Sequence, residues 1–280
     1  MNILITGITG YLGKSLIEEF IETDVKLTFT YRKKKIKFKK EKVSWKKFDI
    51  RSKLKNYYDY FDKPKTMVHL AWEGLSERNY NSRVHKDQVN YHFRFIKSLI
   101  QNGLKNIIII GTCFEYGDYD GELKENLKPN PKTKYGLAKN ELRKKLEKLK
   151  LKYDFNLTWL RIFYFYGGKK KSNDIWGSLK HAVQLKKKKF KITEGTQLRD
   201  YLHIKKICKY IKTISLLKKN CGIINVCSNK PISIRSITAK WIKEFNWDIK
   251  IETSKLPFNK HEPKNFWGSN KKLKNLLKFK

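Results

Sequence analysis

Short apolar runs alternate along this chain with longer segments in which apolar residues recur every three or four positions. The apolar runs predict strands over residues 3–5, 26–31, 46–50, 66–71, 107–112, 157–162 and 223–226. The segments of helical periodicity predict helices over residues 14–20, 84–102, 135–153, 233–245 and 270–277. The run at 107–112 is the most apolar, as expected of a central strand that is covered on both faces. This alternation predicts an α/β fold with a doubly wound parallel sheet.

Three glycines lie where the first predicted strand runs into the first predicted helix. Gly7, Gly10 and Gly13 are each separated by two residues. Glycine lets the backbone approach a pyrophosphate closely, and the helix N-terminus offers unpaired N–H groups and a partial positive charge to that anion. The same spacing also suits a purely steric turn between a strand and a helix. The loop therefore indicates a dinucleotide site only if the rest of the chain carries matching chemistry.

The alternation of strands and helices becomes less regular after Gly167, where elements shorten and basic loops appear. We therefore predict a dinucleotide-binding domain over residues 1–166 and a smaller, mainly substrate-binding part over residues 167–280. The two parts are expected to interweave, because a segment at about 200–228 contains a strand that could return to the main sheet.

Composition excludes several classes of protein. With 280 residues and 40% hydrophobic content, the chain is expected to fold as one large domain or two small ones. No apolar run is long enough to predict a membrane span, and the N-terminus lacks the pattern of a signal peptide, so we expect a cytoplasmic protein. The four cysteines form no CxxC pair and share no metal-type spacing with the six histidines, so reduced thiols and no metal site are expected.

The formal net charge of +38 raises the question of a nucleic-acid partner. The lysines, however, are spread along nearly every segment, and no basic tail or arm stands apart. Lysine is over-used together with Ile, Asn, Phe and Tyr, all of which have A/T-rich codons, so a biased genome explains the composition better. We therefore do not expect nucleic-acid binding, and we treat the scarce arginines as more informative than the lysines.

A tyrosine and a lysine lie four residues apart on the helix predicted over 135–153. An ammonium beside the Tyr135 phenol would favour the phenolate and lower a pKa that is ordinarily near 10, and Lys139 can also hold a cofactor ribose. Thr112 ends the most apolar strand, at the sheet edge where open α/β folds bind ligands. Its hydroxyl can share a hydrogen bond with the substrate oxygen that Tyr135 protonates. We therefore predict Thr112, Tyr135 and Lys139 as the catalytic residues, against the alternative of an incidental Tyr and Lys on a surface helix.

These residues resemble the extended short-chain dehydrogenase/reductases that act on nucleotide sugars, also called the NAD-dependent epimerase/dehydratase family. The resemblance covers essentially the whole chain and continues in Asp49-Ile50, in His69-Leu70-Ala71, in Asn90 and in the run Arg199-Asp200-Tyr201-Leu202-His203. It implies a Rossmann-type fold. It also implies a cofactor site formed by Gly7, Gly10, Tyr11, Leu12, Gly13, Arg32, Asp49, Ile50, Leu70, Ala71, Asn90, Tyr135 and Lys139. The substrate contacts that it implies are Trp72, Cys113, Phe114, Tyr164 and Arg199, the last of these at the nucleotide diphosphate. Ordinary packing under the sugar pocket is the alternative for Cys113 and Phe114.

The resemblance also discriminates among reactions. Sugar-nucleotide 4,6-dehydratases of the family carry Asp-Glu where this chain has Cys113-Phe114, so water elimination is not expected. Fucose synthases of the family use a cysteine two residues before Tyr-Gly, whereas Cys113 stands three before Tyr116, so 3,5-epimerisation is not expected either. The segments 111–117 and 72–74 most resemble 4-ketoreductases of nucleotide-linked 6-deoxyhexoses, which serve surface polysaccharide synthesis.

The choice of cofactor depends on the end of the second predicted strand. An acidic residue there would hold the ribose 2′-hydroxyl of NAD, whereas an arginine accommodates the 2′-phosphate of NADP. Arg32 stands at this point, and its guanidinium suits a phosphate. We therefore predict NADP(H) as the preferred cofactor, with NAD(H) as the alternative.

The sequence is also compatible with two other functions. A nucleotide-sugar 4-epimerase would use the same threonine, tyrosine and lysine, and a non-catalytic or nucleic-acid-binding protein on this fold would use the positive charge instead. The predicted helices 84–102 and 135–153 resemble those that pair in dimers of the family, which implies a homodimer. His69 is expected to belong to its strand end and His203 to pack within its own segment, neither as a metal ligand.

Overall fold

The computed structural model describes residues 2–36, 40–75, 79–168, 174–254 and 263–278. The strands in these ranges are β1 (Asn2–Thr6), β2 (Lys26–Tyr31), β3 (Val43–Lys47), β4 (Thr66–His69), β5 (Asn106–Thr112), β6 (Gly121–Leu123), β7 (Asn156–Ile162), β8 (Tyr164–Tyr166), β9 (Lys189–Ile192), β10 (Leu198–His203), β11 (Gly222–Val226), β12 (Pro231–Ser233), β13 (Lys250–Thr253) and β14 (Phe266–Gly268). The helices are α1 (Tyr11–Phe20), α2 (Tyr57–Tyr60), α3 (Val84–Gln101), α4 (Lys134–Leu149), α5 (Ile175–Gln184), α6 (Ile204–Leu217), α7 (Ile234–Glu244) and α8 (Lys271–Lys278).

Seven parallel strands form the main sheet, in the order β11-β7-β5-β4-β1-β2-β3. The chain first moves outward from β1 to β3 and then starts again on the other side with β4, so β1 and β4 are neighbours. This reversal is the topological switch point at which doubly wound sheets bind ligands, at the carboxyl ends of the strands. The predicted doubly wound, Rossmann-type sheet is confirmed.

Helices cover both faces of this sheet, which is why its strands are apolar at successive positions. Ile3 and Ile5 of β1 pack in a core cluster with α1 and α6, whereas Leu4 between them packs in a second cluster with α3 and α4. Ile108 of β5 likewise belongs to the first cluster and Ile107 to the second. Since successive side chains of a strand point to opposite faces, a strand buried on both faces needs an unbroken apolar run.

The second part of the chain contributes both to a small sheet and to the main sheet. Strands β12, β10 and β8 form a small sheet, and Trp176 of α5 packs with Trp241 of α7 at 5.1 Å between ring centroids in the core beneath it. The segment at about 200–228 contributes to both sheets. Its strand β10 lies in the small sheet, its helix α6 packs against α1, and its strand β11 forms the edge of the main sheet beside β7. A division into domains at residue 166 stays a prediction.

Two elements near the site differ from the sequence expectation. The third strand covers Val43–Lys47 rather than 46–50, because its pairing with β2 starts at Val43, and Asp49 instead begins a turn whose carbonyl accepts from the N–H of Ser52. Helix α1 begins at Tyr11 rather than at residue 14, so Gly13 lies inside its first turn. Among the described residues, no helix combines the length and the apolar character that crossing a membrane requires.

Candidate active site

The glycine loop is packed directly against the end of β4. A side chain on Gly7, which has a φ of +74°, would lie 2.6 Å from the backbone nitrogen of Ala71. A side chain on Gly13 would lie 2.5 Å from the carbonyl oxygen of Gly7. Only glycine fits these two positions, because any Cβ would collide with main-chain atoms that cannot move aside. The loop therefore lies at the switch point, with Leu70 and Ala71 beside it.

Helix α1 presents its N-terminus at this loop. Gly10 is the N-cap residue and provides no side-chain hydrogen bond to the first turn. The backbone N–H groups of a helix start are then left for a ligand, and the helix dipole favours an anion there. Leu12 packs against the core under α1, while Tyr11 donates from its hydroxyl to the carbonyl of Gly167 and stacks on Phe165 at 5.4 Å between ring centroids. Tyr11 thus connects the glycine loop with the second part of the chain.

Charged side chains border the switch point near the end of β2. Arg32 directly follows β2 and forms an ion pair with Glu73, which follows β4. Asp49 accepts from the Arg51 guanidinium, with 2.9 Å between Nε and Oδ1, and this hydrogen bond lowers the pKa of the Asp49 carboxyl to about 2.

The loop that carries Asp49 and Ile50 is held from α3. Arg94 donates from Nη2 to the carbonyls of Arg51 and Ser52, at 3.0 and 3.3 Å. Asn90 lies one turn earlier on the same helix and is exposed. The structure therefore places the cofactor residues predicted from β1, β2, β4 and α3 around one edge of the sheet.

Thr112, Tyr135 and Lys139 converge at the carboxyl end of β5. Tyr135 lies in the first turn of α4, and its phenol lies beside the Thr112 side chain. Gly136 allows this approach, because a side chain there would lie 2.5 Å from the carbonyl oxygen of Phe114. The predicted catalytic set is therefore assembled from the end of a strand and the start of a helix.

Burial governs the pKa of the tyrosine. Tyr135 is 7% exposed, and the loss of solvent raises the pKa of its phenol well above the ordinary value, with the Tyr80 and Glu115 charges acting in the same direction. The hydrogen bond with Thr112 acts in the opposite direction. The phenol is therefore protonated at neutral pH, the form that a proton donor requires. That Lys139 lowers this pKa stays a prediction.

Lys139 is enclosed by groups that satisfy its ammonium. Its Nζ donates to the carbonyl of Ile110 at 2.8 Å and lies 3.9 Å from the centroid of the Trp72 ring. Burial lowers the pKa of Lys139 to about 7, and the negative charge of Glu115 opposes that shift. Trp72, predicted as a substrate residue, contacts Lys139 in this structure.

Two buried histidines hold the Trp72 ring. The ring stacks on His92 at 4.6 Å between centroids, and its Nε1 donates to Nδ1 of His85 at 3.1 Å. His92 is in turn hydrogen-bonded to His69, which also bonds the hydroxyl of Thr6. Burial lowers the pKa of all three histidines, so they are neutral at physiological pH. The pattern of the sequence did not single out His85 or His92.

Behind Thr112 lies a buried charge network that sequence reasoning missed. Glu115 is fully buried, and its carboxylate accepts from the Thr112 N–H at 2.9 Å and the Trp159 indole at 2.8 Å. Its other oxygen accepts from Nε of Arg161 at 3.0 Å, with Nε of Arg143 at 3.9 Å. The available signal was the spacing, because an acid three residues after a threonine forms a capping box, which this 3₁₀ turn contains.

The predicted substrate residues extend from Tyr135 in a row of ring contacts. Phe114 lies 6.3 Å from Tyr135 between centroids, and Tyr164 lies 6.4 Å from Phe114. The Arg199 guanidinium is 6.0 Å from the Tyr164 ring and donates to the carbonyls of Leu198 and Lys264 at 2.8 and 2.9 Å. Cys113 is buried beside this row, in a core cluster with Cys227 against which Phe114 and Tyr164 also pack.

His203 and Asp200, both in β10, have structural partners. His203 caps α6 by accepting from the N–H of Lys205 at 3.2 Å. Asp200 is fully buried and accepts from the N–H groups of Ser228, Asn229 and Gly268. Within the residues that the structure describes, no group of histidines, cysteines and acids could hold a metal ion.

Comparisons with known proteins agree with this architecture. The sequence model of the NAD dependent epimerase/dehydratase family matches residues 3–227. The dTDP-6-deoxy-L-talose 4-dehydrogenase (NAD(+)) of Aggregatibacter actinomycetemcomitans is 29% identical over 273 residues, which cover 96% of this chain and 100% of that protein. The dTDP-4-dehydro-6-deoxyglucose reductase of Escherichia coli is 28% identical over 152 residues, 49% of this chain and 47% of that protein.

Solved structures show the same fold at low sequence identity. A UDP-N-acetylglucosamine 4-epimerase from Methanobrevibacter ruminantium superposes with a TM-score of 0.84 at 20% identity, covering 98% of this chain and 90% of that one. A UDP-glucuronic acid 4-epimerase from Bacillus cereus, in complex with NAD, has a TM-score of 0.81 at 18% identity, covering 100% and 91%.

A doubly wound sheet with a glycine loop at its switch point and a buried tyrosine and lysine beside it defines a dinucleotide-binding α/β protein. More specifically, since the family model spans most of the chain, the protein belongs to the NAD dependent epimerase/dehydratase family. The resemblance drawn from the sequence motifs is confirmed.

Proposed function

We propose that this protein is an NAD(P)(H)-dependent oxidoreductase that interconverts a ketone and a hydroxyl at C4 of a nucleotide-linked 6-deoxyhexose. It is a 4-ketoreductase in one direction and a 4-dehydrogenase in the other. The observation that carries this proposal is the convergence of Thr112, Tyr135 and Lys139 next to the glycine loop. The relatives of 29% and 28% identity, whose names describe this chemistry on dTDP-linked sugars, favour the same reaction.

The chain offers a cradle for the dinucleotide. Gly7 and Gly13 allow the loop to pack tightly against Ala71 and against its own backbone, and the N-terminus of α1 begins at this loop without a side-chain cap. The pyrophosphate would lie on this loop, and Lys139 would hold a ribose hydroxyl. When bound, the dinucleotide supplies the hydride to C4 or accepts it from there.

Tyr135 is the proton donor to the C4 oxygen in the reducing direction. Its raised pKa keeps the phenol protonated, and the Thr112 side chain lies beside its hydroxyl. Thr112 would hydrogen-bond the same sugar oxygen and stabilise the developing alkoxide. In the oxidising direction the phenolate is required, and a charged Lys139 favours it.

The substrate would lie along the row of rings that starts at Tyr135. Phe114 and Tyr164 would pack against the sugar, and Arg199, whose guanidinium is fixed by two carbonyls, would face the diphosphate. NADP(H) as the preferred cofactor rests on Arg32 alone. The product would enter surface polysaccharide synthesis in the cytoplasm, and the enzyme would act as a homodimer without a nucleic-acid partner.

The test is a panel of dTDP-, CDP- and GDP-linked 4-keto-6-deoxyhexoses, each assayed with NADH and NADPH by loss of the reduced cofactor's absorbance. We expect net consumption with at least one sugar. Interconversion of C4 epimers, assayed with the corresponding 4-hydroxy nucleotide sugars and without net cofactor consumption, would instead establish a 4-epimerase. Salt-dependent nucleic-acid binding without any turnover would establish a binding protein.

A tyrosine variant tests the catalytic assignment. We expect Tyr135→Phe to lower kcat by roughly 10²–10⁴-fold, because it removes the general acid. The matched control is Tyr153→Phe, whose hydroxyl accepts from Gln101 at 2.9 Å on the exposed surface. This control should leave kcat unchanged, and near-normal turnover by Tyr135→Phe would contradict the mechanism.

A further inference from the structure

The ion pair between Arg32 and Glu73 lies where it can act on the cofactor. Arg32 follows β2 and Glu73 follows β4, and these two strands flank β1 on either side. The pair therefore joins the two strands beside β1, at the end of the sheet where the glycine loop follows β1. Part of each side chain remains open to a ligand, with 46% of Arg32 and 32% of Glu73 exposed.

The backbone at Glu73 is held in place from α3. Gln88 is 3% exposed; its Oε1 accepts from the Glu73 N–H at 2.7 Å, and its Nε2 donates to the Glu73 carbonyl at 3.2 Å. The same Nε2 also contacts the carbonyl of Val84 at 3.3 Å. This two-way hydrogen bond from a buried amide fixes the direction in which the Glu73 side chain leaves the loop.

Arg32 and Glu73 place opposite chemistries at the position where the adenosine ribose binds in such folds. An arginine at the end of the second strand accommodates a 2′-phosphate, whereas a carboxylate accepts from a 2′-hydroxyl. The nearby acid Asp49 is already bound by Arg51, so the carboxylate that faces Arg32 is Glu73.

We propose that Glu73 is a specificity-determining residue for the cofactor: by pairing with Arg32 and by its own charge, it weakens binding of a 2′-phosphate and favours a dinucleotide with a free 2′-hydroxyl. This inference rests on the proposed dinucleotide-dependent function. It goes beyond that function in making the choice between NAD and NADP depend on two residues about 40 positions apart rather than on Arg32 alone.

The experiment measures dissociation constants of NAD⁺ and NADP⁺ by calorimetry at fixed ionic strength for the wild type, Glu73→Gln, Arg32→Gln and the double variant. We expect Glu73→Gln to tighten NADP⁺ binding about tenfold while NAD⁺ binding changes much less, because a charge-assisted hydrogen bond to the phosphate is released from competition. Arg32→Gln should weaken NADP⁺ binding by about the same factor. When Arg32→Gln is already present, adding Glu73→Gln should change NADP⁺ binding less, because Glu73 no longer has Arg32 as its partner.

Controls separate this inference from general charge and from the proposed function. Glu252→Gln removes a partly exposed carboxylate that pairs with Lys189 at 3.7 Å between β9 and β13, and it should not alter either dissociation constant. An unchanged ratio of the two constants in Glu73→Gln overturns the inference, and so does an effect that persists in full without Arg32. If the wild type binds neither dinucleotide, the proposed function itself fails.

Discussion

Two groups of charged residues lie at the same end of the sheet, and they differ in their access to water. Behind Thr112, Glu115 and Arg161 are both fully buried. The second group, called the rim here, contains Arg32 and Glu73 and the neighbouring pair Asp49 and Arg51, and it lies partly open to solvent. In it, 46% of the Arg32 side chain and 32% of the Glu73 side chain are exposed. Both groups join residues that are distant in sequence, yet only the first is enclosed by packed side chains.

The comparison shows that burial decides what an ion pair can do. A buried pair cannot exchange its partner for water, so Glu115 fixes the backbone of Thr112 through the bond to its N–H. A pair at the rim is screened and contributes little to stability, so Arg32 can exchange Glu73 for a ligand phosphate at small cost. The buried network supplies geometry, and the rim pair supplies selectivity.

The largest change in the free energy of unfolding should come from Lys139, which is buried against the end of β5. The pKa of Lys139 is about 7 in the folded protein, against an ordinary value of 10.5. Between these values the unfolded chain binds more protons, so the free energy of unfolding of the wild type should rise with pH, by about 5 kcal/mol at most over the whole interval from 7 to 10.5.

Lys139→Met should remove this rise. Urea unfolding of both proteins from pH 7 to pH 10 measures the difference in slope, which isolates the contribution of Lys139 from those of other titrating groups. Identical slopes in the two proteins would show that the lysine keeps its ordinary pKa. Burial would then have no measurable effect on the charge of Lys139.

Breaking the buried network should have the next largest effect. Glu115→Gln leaves Arg161 as a buried charge without its carboxylate, so we expect the free energy of unfolding to fall by about 3–5 kcal/mol. Urea unfolding at pH 7 measures this, with Glu252→Gln as the control from an exposed pair, where a change below about 1 kcal/mol is expected. Equal losses in the two variants would mean that burial makes no difference.

The smallest change in the free energy of unfolding should come from the exposed pair of Asp49 and Arg51. Asp49 has its pKa lowered to about 2 by the hydrogen bond from Arg51, so the stability it contributes is present above pH 4 and is lost as the pH falls through 2. Its side chain is 25% exposed and its partner 56%, and Asp49→Asn should therefore cost less than about 1 kcal/mol at pH 7. A loss several times larger, or one insensitive to salt, would place this pair with the buried network.

Local sequence determined much of the fold and the core of the site. Runs of apolar residues predicted the strands of the main sheet, because burial on both faces imposes that pattern strand by strand. The glycine loop and the spacing of Tyr135 and Lys139 are equally local, since each belongs to a single turn or helix. Thr112 could be added because it ends a strand whose carboxyl edge is known to bind ligands.

Only the tertiary structure decided how these residues are paired. The chain shows Arg32 but not that Glu73 faces it, and it shows Trp72 but not that its ring covers the ammonium of Lys139. Glu115 likewise gains its role from Arg161, 46 residues further along the chain. Periodicity reports which face of an element is buried, whereas a contact between two elements depends on how their side chains pack in three dimensions, and no local pattern records that.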